Sequence, residues 1–466
     1  MKKLLLLIFI LAAILRFYHL PEYVRFLGDE GRDVLVVKRM IVDHQWTLLG
    51  PTASVGGFYT GPVYYYFMAP FLWLWRLDPV GPAVMAALFG LGTVVLIYFF
   101  TKNLAGERAG LVAAFLMAIS PKMVEISRFS WNPNPVPFFA ILTFLFLSRQ
   151  KKIFTLLAGI CLGILYQLHY TDLIFFPIVG LMSFLVFPLK EIPRRWLLLL
   201  GGFVLGDSPF LFFEIRHGFP NTRTVWEFII RGTNVAPRSP NLIWLFYDRS
   251  RILFETMFKT TSPILQLFYF GSLVALFLKR SKIVLVWFLV GALGIGFYRG
   301  QILEHYYGYL YPLPFILLGL LFEKVNNKFF TVAGLAVLTL FSVKSLYFWQ
   351  PPNNLIQQTK SIDEIILSLF QLKPYNFALA SPGNSDHAYR YFLEIWGRSP
   401  VTIQNSEIDP LRKTVTDQLI VVCEQKCSPL GNPLWEVAGF GRAEIFQEVT
   451  GPAGIKIYKL IHYRGG

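Results

Sequence analysis

Residues 81–101 read GPAVMAALFGLGTVVLIYFFT, a run of 21 residues without a charged side chain. A helix of this length crosses about 30 Å of hydrocarbon, so the segment predicts a transmembrane helix. Ten further apolar runs bounded by polar clusters lie on either side of it. They are found at about 4–20, 110–120, 135–148, 153–168, 172–187, 196–213, 263–278, 283–298, 309–322 and 329–348. The sequence therefore predicts a mainly α, polytopic membrane protein with about 11 transmembrane helices.

The composition of the 466-residue chain agrees with this class. Hydrophobic residues make up 55% and charged residues 15%, whereas soluble domains carry about 25% charged residues. The 43 Lys and Arg residues exceed the 28 Asp and Glu residues by 15, but from residue 350 onward there are 11 of each sign. The excess therefore lies in the apolar part of the chain, where it indicates membrane topology rather than a nucleic-acid partner.

The basic clusters set the predicted orientation, because Lys and Arg in short loops resist translocation. Thirteen such residues fall in alternate loops, at 102–108, 149–152, 190–195, 279–282 and 324–328. We therefore expect an integral protein of the plasma (inner) membrane with a cytoplasmic N-terminus. A long loop at about 214–262 and the tail after residue 350 would then be extracytoplasmic.

The first 80 residues leave two topologies open. No small-residue cleavage site follows the first apolar run, so we expect an uncleaved span and then a first outer loop at 21–80 with interfacial helices. The aromatic segment Tyr59–Trp75 must then be re-entrant or interfacial, because a full crossing would invert every later loop. A twelve-span arrangement with the N-terminus outside fits the later loops equally well.

The tail at 350–466 has a different pattern, and we expect a small extracytoplasmic α/β domain separate from a transmembrane domain at 1–349. Its predicted elements are two amphipathic helices and two strands, at Ser361–Phe370, Tyr389–Trp396, Gln418–Cys423 and Ile455–Leu460. Cys423 and Cys427 are four residues apart. An extracytoplasmic location permits a disulfide between them.

The segment Gly28–Asp33 (GDEGRD), directly after the first span, carries three carboxylates. Residues four apart share a helical face, so we expect Asp29 and Asp33 to point the same way, with Glu30 close by. If solvent is restricted, such crowding near a membrane boundary raises the pKa of at least one carboxylate, which suits a general base. The alternative interpretation is an acidic first turn stabilised by the helix dipole.

An outer loop at about 120–135 contains Lys122 and Arg128. The planar guanidinium of an arginine can hold a phosphate with two hydrogen bonds, which suits a phosphate-binding role at the interface. Lys and Arg also snorkel at helix ends without any further role. The residue types alone leave both interpretations open.

Two more clusters lie at the outer ends of other spans. One contains His169 and Tyr170, and the other contains Glu304, His305 and Tyr306. Ionisable residues at membrane depth mark functional sites by default, although a histidine beside tyrosines at an interface is often only an anchor. All of these clusters share one predicted side of the membrane, which favours a common functional site there.

Several of these features, in this order, resemble the GT-C glycosyltransferases, and in particular the branch of protein O-mannosyltransferases and aminoarabinose transferases. The features are the acidic pair Asp29–Glu30, the segment 59–66 (YTGPVYYY), the span end 98–108 (YFFTKNLAGER), Ser120–Pro121 followed by Arg128, QLHYT at 167–171 and HYYGYLYPLPF at 305–315. The resemblance covers about residues 1–350. It implies a GT-C fold and transfer of a sugar from a polyprenyl-phosphate carrier to an acceptor on the outer face of the membrane.

The resemblance also implies residue roles. Asp29 corresponds to the family's catalytic base, with Glu30 as its neighbour, and a carboxylate there can take the proton of an acceptor hydroxyl. Cations must balance the charge of the leaving lipid phosphate. The candidate donor-phosphate or lipid-binding residues are Arg128, Lys122, His305 and Tyr59. The candidate residues of the substrate pocket are Asp33, His169, Tyr170, Glu304 and Tyr306.

The chain departs from its apparent relatives in two places. Oligosaccharyltransferases of the superfamily carry a metal-binding Asp in the second outer loop, where this chain has Asn132, Asn134 and Glu125. We therefore expect a metal-independent transfer without a cofactor. Attack opposite the leaving group would invert the anomeric centre. Tyr59 stands where aminoarabinose transferases usually have a lysine, which argues against lipid A as the acceptor. The acceptor, whether a glycan, a lipid or a protein, stays open.

Two other classes of function compete with this interpretation. A secondary transporter or lipid flippase would need charges at the bilayer midplane and two related halves, and Asp207 beside Ser208–Pro209 is the only candidate charge in the sequence. A membrane anchor that presents the tail is the third class, but it would not need about 11 spans. The sequence also lacks a GK[ST] loop, HExxH and paired CxxC motifs, which argues against ATP-driven transport and zinc chemistry.

Overall fold

In the computed structural model, the described residues are 2–53, 57–231, 241–279, 281–298, 302–349, 354–369 and 373–463. The chain is mainly helical and divides into two compact units. The larger unit comprises Met1–Leu20, Gln45–Phe71 and Gly81–Gln350, and the smaller comprises Pro21–His44, Leu72–Val80 and Pro351–Gly466. The smaller unit thus combines the tail with parts of the predicted first outer loop, so the two units do not follow a single division near residue 350.

Eighteen helices are described before residue 350. They are α1 (Lys2–Phe17), α2 (Leu20–Tyr23), α3 (Gly28–Val42), α4 (Val63–Leu74), α5 (Val80–Ala105), α6 (Glu107–Ile119), α7 (Pro121–Ile126), α8 (Val136–Leu147), α9 (Lys152–Leu168), α10 (Phe175–Val186), α11 (Ile192–Gly206), α12 (Ser208–His217), α13 (Pro220–Arg231), α14 (Leu242–Phe258), α15 (Pro263–Lys279), α16 (Lys282–Phe297), α17 (Leu313–Val325) and α18 (Lys328–Lys344). Short 3-10 helices occur at Tyr170–Ile174, Leu189–Glu191, Glu304–Leu310 and Tyr347–Trp349. Each predicted apolar run overlaps a helix.

The lengths of these helices bear on the number of membrane spans. Among the described residues, two helices, α5 and Lys328–Trp349, are by themselves long and apolar enough to cross a membrane. Two bent pairs, Leu189–Gly206 with Ser208–His217 and Glu304–Leu310 with Leu313–Val325, raise this number to four. The other apolar helices have 10–17 residues, so the number of about 11 spans stays a prediction.

The helix expected to run through 196–213 is broken at Asp207, and this part of the prediction is wrong. Segments Leu189–Gly206 and Ser208–His217 differ in direction by 80°. The physical reason is Pro209, which cannot donate a backbone hydrogen bond and whose ring collides with the carbonyl of the preceding turn. The apolar character of the run hid this break.

Close packing of α9 against α11 depends on glycine. A Cβ atom at Gly159 would lie 2.2 Å from the carbonyl oxygen of Leu199, and one at Gly202 would lie 2.1 Å from that of Leu156. Small residues at this spacing let two backbones approach each other in an apolar environment. Outside such contacts, many helices leave large apolar side chains exposed, which is the surface expected of a membrane protein.

The smaller unit contains a four-stranded sheet and three further helices. Its elements are α19 (Ile356–Leu369), β1 (Asn376–Ala380), α20 (His387–Ile395), β2 (Gln418–Cys423), α21 (Trp435–Phe440), β3 (Ala443–Thr450) and β4 (Lys456–His462). The strand order is β1-β2-β4-β3; β1 and β2 are parallel, whereas the other pairs are antiparallel.

The predicted helices of the tail correspond to α19 and α20, and the predicted strands correspond to β2 and β4. A disulfide joins Cys423 at the end of β2 to Cys427. Asp363 of α19 is fully buried, and this burial raises the pKa of its carboxyl well above the usual range.

Candidate active site

The first turn of α3 is held together by Glu30. Its Oε2 accepts a hydrogen bond from the backbone N–H of Leu27 at 3.1 Å, which satisfies one of the open donors at the helix start. Its Oε1 accepts bonds from Nε and Nη2 of Arg25 at 3.2 and 2.9 Å. Glu30 is buried, and both of its oxygens have structural partners.

Arg32 connects the other two carboxylates of this segment. Its Nη1 lies 3.0 Å from Oδ1 of Asp29, while Nη2 and Nε lie 2.8 and 2.9 Å from Oδ1 of Asp33. The two aspartates therefore contact the same arginine, as residues on one helical face can. The side chain of Asp33 is fully buried, whereas that of Asp29 is 51% exposed. Of the three carboxylates, Asp29 is the one open to a substrate.

The start of α3 packs closely against the segment that leads into α20. The backbone N–H of Gly28 donates to Oδ1 of Asn384 at 2.9 Å. A Cβ atom at Gly28 would lie 1.9 Å from Oγ of Ser385, and one at Gly31 would lie 2.3 Å from the backbone nitrogen of Ala388. Only glycine permits this approach, so both glycines of GDEGRD have a structural purpose.

Asn384 is in turn fixed by Glu424, which follows β2. Oε1 of Glu424 accepts hydrogen bonds from Nδ2 of Asn384 and the hydroxyl of Tyr389, both at 2.8 Å. Oε2 accepts a bond from the hydroxyl of Ser381 at 2.6 Å. Contacts from the tail therefore determine where α3 begins.

His387 at the start of α20 is electrostatically close to Asp29 and Arg32. Its Nδ1 and the hydroxyl of Ser385 are 2.9 Å apart. Burial lowers the pKa of His387 below the usual range, although the neighbouring carboxylate of Asp386 opposes this effect. Sequence reasoning found no candidate in this region.

In the larger unit, Lys122 and Glu304 form an ion pair. Nζ of Lys122 lies 2.5 Å from Oε2 of Glu304, across 182 positions of sequence. Lys122 is buried, whereas the side chain of Glu304 is 64% exposed. The structure thus brings together two clusters that the sequence located only by their shared side of the membrane.

Several aromatic and histidine residues lie near Lys122 or Glu304 in the sequence, and their rings cluster with one another in the structure. His305 lies against Trp131, Tyr306 and His169, with ring centroids 4.5, 4.7 and 5.0 Å apart. Nδ1 of His169 is 2.6 Å from the hydroxyl of Thr171. Three predicted residues, His169, His305 and Tyr306, therefore form one group.

The side chain of Tyr170 contacts the main chain of Tyr59. The hydroxyl of Tyr170 donates a hydrogen bond to the carbonyl of Tyr59. The backbone N–H of Tyr59 donates to Oδ1 of Asn221 at 2.8 Å. The Tyr59 side chain itself remains exposed, so its hydroxyl is accessible.

Arg128 is buried among main-chain carbonyls. Its Nη1 donates to the carbonyls of Leu15 and Arg16 at 3.0 and 2.9 Å, and Nη2 donates to that of Tyr18 at 2.6 Å. Nε donates to the hydroxyl of Tyr347. These bonds fix the end of α1, so in this arrangement Arg128 supports the fold and Lys122 is the more available cation.

The predicted residues divide between the two compact units. Asp29, Glu30 and Asp33 belong to the smaller unit, and the other predicted site residues belong to the larger unit. In the part of the chain that the structure describes, no three His, Cys, Asp or Glu side chains are grouped as ligands for a metal ion.

Sequence reasoning missed Arg25, Arg32 and Asn384. Arg32 had a readable signal, because it lies three residues after Asp29 and next to Asp33, where a helix brings opposite charges together. Arg25 lies before α3 and had no such spacing. Asn384 had no such signal, because its partner Gly28 is 356 positions away.

Comparisons with known proteins agree with the proposed resemblance. Residues 59–211 match the family of dolichyl-phosphate-mannose-protein mannosyltransferases. The crystal structure of ArnT from Cupriavidus metallidurans in the apo state has a TM-score of 0.64 at 12% sequence identity, over 97% of each chain. The structure of the same protein bound to undecaprenyl phosphate gives the same values.

A more distant likeness is to the oligosaccharyltransferase from Archaeoglobus fulgidus, in complex with Zn and sulfate. Its TM-score is 0.51 at 16% identity, over 90% of this chain and 67% of that chain. No curated protein matches this chain in sequence. The resemblance to GT-C membrane glycosyltransferases is confirmed, and the chain has their mainly helical fold.

Proposed function

From this fold and site, we propose that the protein is a membrane glycosyltransferase. It transfers a sugar from a polyprenyl-phosphate carrier to an acceptor on the outer face of the membrane. The observation that carries the proposal is the exposed carboxylate of Asp29, held by Arg32 on a helix whose other two acidic side chains are buried. The match of residues 59–211 to mannosyltransferases and the ArnT complex with undecaprenyl phosphate support a lipid-phosphate donor.

The proposed reaction begins at the acceptor hydroxyl. A carboxylate oxygen of Asp29 takes the hydroxyl proton while the acceptor oxygen attacks the anomeric carbon. The bond between that carbon and the phosphate oxygen breaks, and its electron pair stays on the phosphate. Because the attack comes from the side opposite the leaving group, the anomeric configuration inverts. Arg32 keeps the Asp29 carboxylate oriented.

The departing phosphate gains negative charge, which needs a cation. We assign this role to Lys122, because its partner Glu304 is largely exposed and can turn away into solvent. A phosphate oxygen would then replace the carboxylate at Nζ. His305 and Tyr59 are further candidates, while His169, Tyr170 and Tyr306 remain proposed pocket residues; the fully buried Asp33 would act on the pocket only through Arg32.

We also propose that the transfer needs no metal ion. Asn132 and Asn134 occupy the loop in which related enzymes carry a metal-binding aspartate. Their Nδ2 atoms donate to the carbonyls of Leu168 and Phe129 at 2.6 and 2.9 Å, which accounts for both side chains structurally. Activity should therefore persist in EDTA.

The test is transfer of radiolabelled sugar from synthetic polyprenyl-phosphate donors to membrane extract by the purified full chain. Asp29→Asn should lower kcat by about 10²–10⁴-fold, because the base is lost, without a change in unfolding temperature. Asp43→Asn is the matched control, because Asp43 is an exposed aspartate at the other end of α3. Full activity of Asp29→Asn would refute the proposed role of Asp29 as the base.

A secondary transporter or lipid flippase is the second candidate. The helix break at the buried Asp207 favours it, because transporter sites often lie at discontinuous helices. A flippase would move a fluorescent polyprenyl phosphate across liposome membranes without cleaving it, and Asp29→Asn would leave that movement intact.

A further inference from the structure

A cavity at the break between α11 and α12 has no role in the proposed transfer. Its volume is about 280 Å³, and residues of α9 to α13 line it. The lining includes four aromatic residues and two buried acidic ones. These are Tyr166, Phe176, Phe203, Phe210, Asp207 and Glu214.

Among the described residues that line this cavity, Asp207 has a buried carboxylate oxygen without a hydrogen-bond partner. It is 2% exposed, and its Oδ1 has no hydrogen-bond partner within the described ranges. Its backbone groups are satisfied: the N–H donates to the carbonyl of Phe203 at 2.8 Å, and the carbonyl accepts from the N–H of Leu211 at 2.9 Å. A buried carboxylate without a partner is costly, so this side chain calls for a cation or a proton.

Glu214, in contrast, is fully compensated. It accepts bonds from the backbone N–H groups of Asn221 and Thr222 at 3.2 and 2.8 Å, and from their side chains at 3.0 and 2.6 Å. These donors lie at the start of α13, where the helix dipole also stabilises negative charge. The unbalanced charge of the cavity therefore belongs to Asp207.

The walls of the cavity indicate which cation it would accept. Hard metal ions need several oxygen ligands, whereas this cavity offers mainly rings. The ring centroids of Tyr166 and Phe203 are 5.9 Å apart, those of Tyr166 and Phe210 are 6.0 Å apart, and those of Phe176 and Phe203 are 5.3 Å apart. Aromatic faces attract ammonium groups, and an adjacent carboxylate supplies the counter-charge.

We propose that this cavity binds an ammonium group, with Asp207 as its counter-ion and the aromatic rings as its walls. The volume suits a headgroup rather than a whole sugar-linked lipid, because pockets for drug-sized ligands begin at about 300 Å³. Leu205 and Phe212, on either side of the break, are both exposed and apolar, as expected where lipid surrounds the chain. The ammonium group therefore comes from a membrane lipid. The inference does not depend on the proposed glycosyl transfer.

Two measurements on the purified full chain test the proposal. The first is thermal unfolding in detergent with increasing tetramethylammonium chloride, compared with equal concentrations of sodium chloride. The second is native mass spectrometry of protein released from nanodiscs that contain either phosphatidylethanolamine or phosphatidylglycerol. We expect saturable stabilisation by the ammonium salt and one retained phosphatidylethanolamine.

Three variants make the result specific. Asp207→Asn should weaken ammonium binding by about tenfold or more, since loss of about 1.4 kcal/mol corresponds to that factor. Leu211→Trp should fill the cavity while keeping the carboxylate, and it gives an independent test if Asp207→Asn folds poorly. Asp363→Asn is the control, because Asp363 belongs to the other compact unit and is also a buried carboxylate without a hydrogen-bond partner among the described residues.

Binding in wild type and Asp363→Asn that is lost in the other two variants would support the proposal. Binding of the ammonium salt without retention of the lipid would support the ammonium site and show that its ligand is soluble. The absence of saturable binding, or equal binding by wild type and Asp207→Asn, would overturn the proposal and leave Asp207 as a protonated buried group.

Discussion

Helix α3 and the region around Lys122 both contain charged residues that take no part in the proposed reaction. The two regions neutralise these additional charges differently. At α3, Arg25 just before the helix and Arg32 within it lie within five residues of the carboxylates that they pair with. In the larger unit, the surplus cation Arg128 is held by carbonyls more than 100 positions away. Local pairing leaves a signal in the sequence, whereas long-range burial does not. The most available charge of α3 is Asp29, which is itself exposed, and that of the Lys122 region is Lys122, whose partner Glu304 is exposed.

Among the substitutions that test this comparison, we expect the largest effect on stability at Arg128. Arg128→Ala should lower the free energy of unfolding by about 3 kcal/mol, because it removes the buried donor to the carbonyls of Leu15, Arg16 and Tyr18 at the end of α1. Arg128→Lys should restore little, since an ammonium cannot reproduce the planar set of donors. Thermal unfolding of the purified protein measures both. Stable variants with a raised KM for the donor would instead return Arg128 to the phosphate site.

A smaller effect is expected at Lys122, and on catalysis rather than on folding. Lys122→Gln should raise the donor KM about tenfold and also lower kcat, because the phosphate loses a charge-assisted contact that strengthens as it departs. Lys259→Gln is the matched control, since Lys259 forms an ion pair with Glu125 in the same unit. Steady-state kinetics with the polyprenyl-phosphate donor separates the two variants. Equal KM values for both would remove Lys122 from the proposed site.

The smallest effect is expected at Glu30, the neighbour of the proposed base. Glu30→Gln should cost about 1 kcal/mol of stability, because it weakens the Arg25 pair and keeps an oxygen for the Leu27 N–H. The loss of kcat should be far below that of Asp29→Asn, because Glu30 is buried away from substrate. Chemical denaturation and kinetics on the same preparation test both statements. A loss of kcat as large as that of Asp29→Asn would show that the two carboxylates act together.

Local patterns predicted the helices well because apolar runs in lipid have few alternatives to helix. The break at Asp207 escaped this reasoning, since Pro209 lies inside a run whose composition otherwise favours a continuous span. Strands β2 and β4 have short apolar patterns that were recognisable, whereas β1 and β3 were missed. In α3, the four-residue spacing of Asp29 and Asp33 predicted a shared face, and both aspartates contact Arg32.

Burial changed the ranking of the candidate residues. Arg128 and Lys122 have similar sequence surroundings, and Asp29 and Asp33 differ by a single turn of one helix. Hydrogen-bond partners separate the first pair and exposure separates the second, and both depend on segments far away in the chain. The glycines of GDEGRD illustrate the same point. A Cβ atom at Gly28 would collide with Ser385, and one at Gly31 would collide with Ala388, so residues far away in the chain require glycine there.

By itself, the sequence determined the membrane class, the helical segments, the predicted sidedness and the acidic segment that contains the proposed base. These properties follow from hydrophobicity, charge and helical spacing, which act over a few residues. Only the tertiary structure decided that Asp29 is the open carboxylate, that Lys122 meets Glu304 and that Asp207 borders a cavity. Those properties depend on burial and on partners distant in the chain, and no local pattern records which segments will meet.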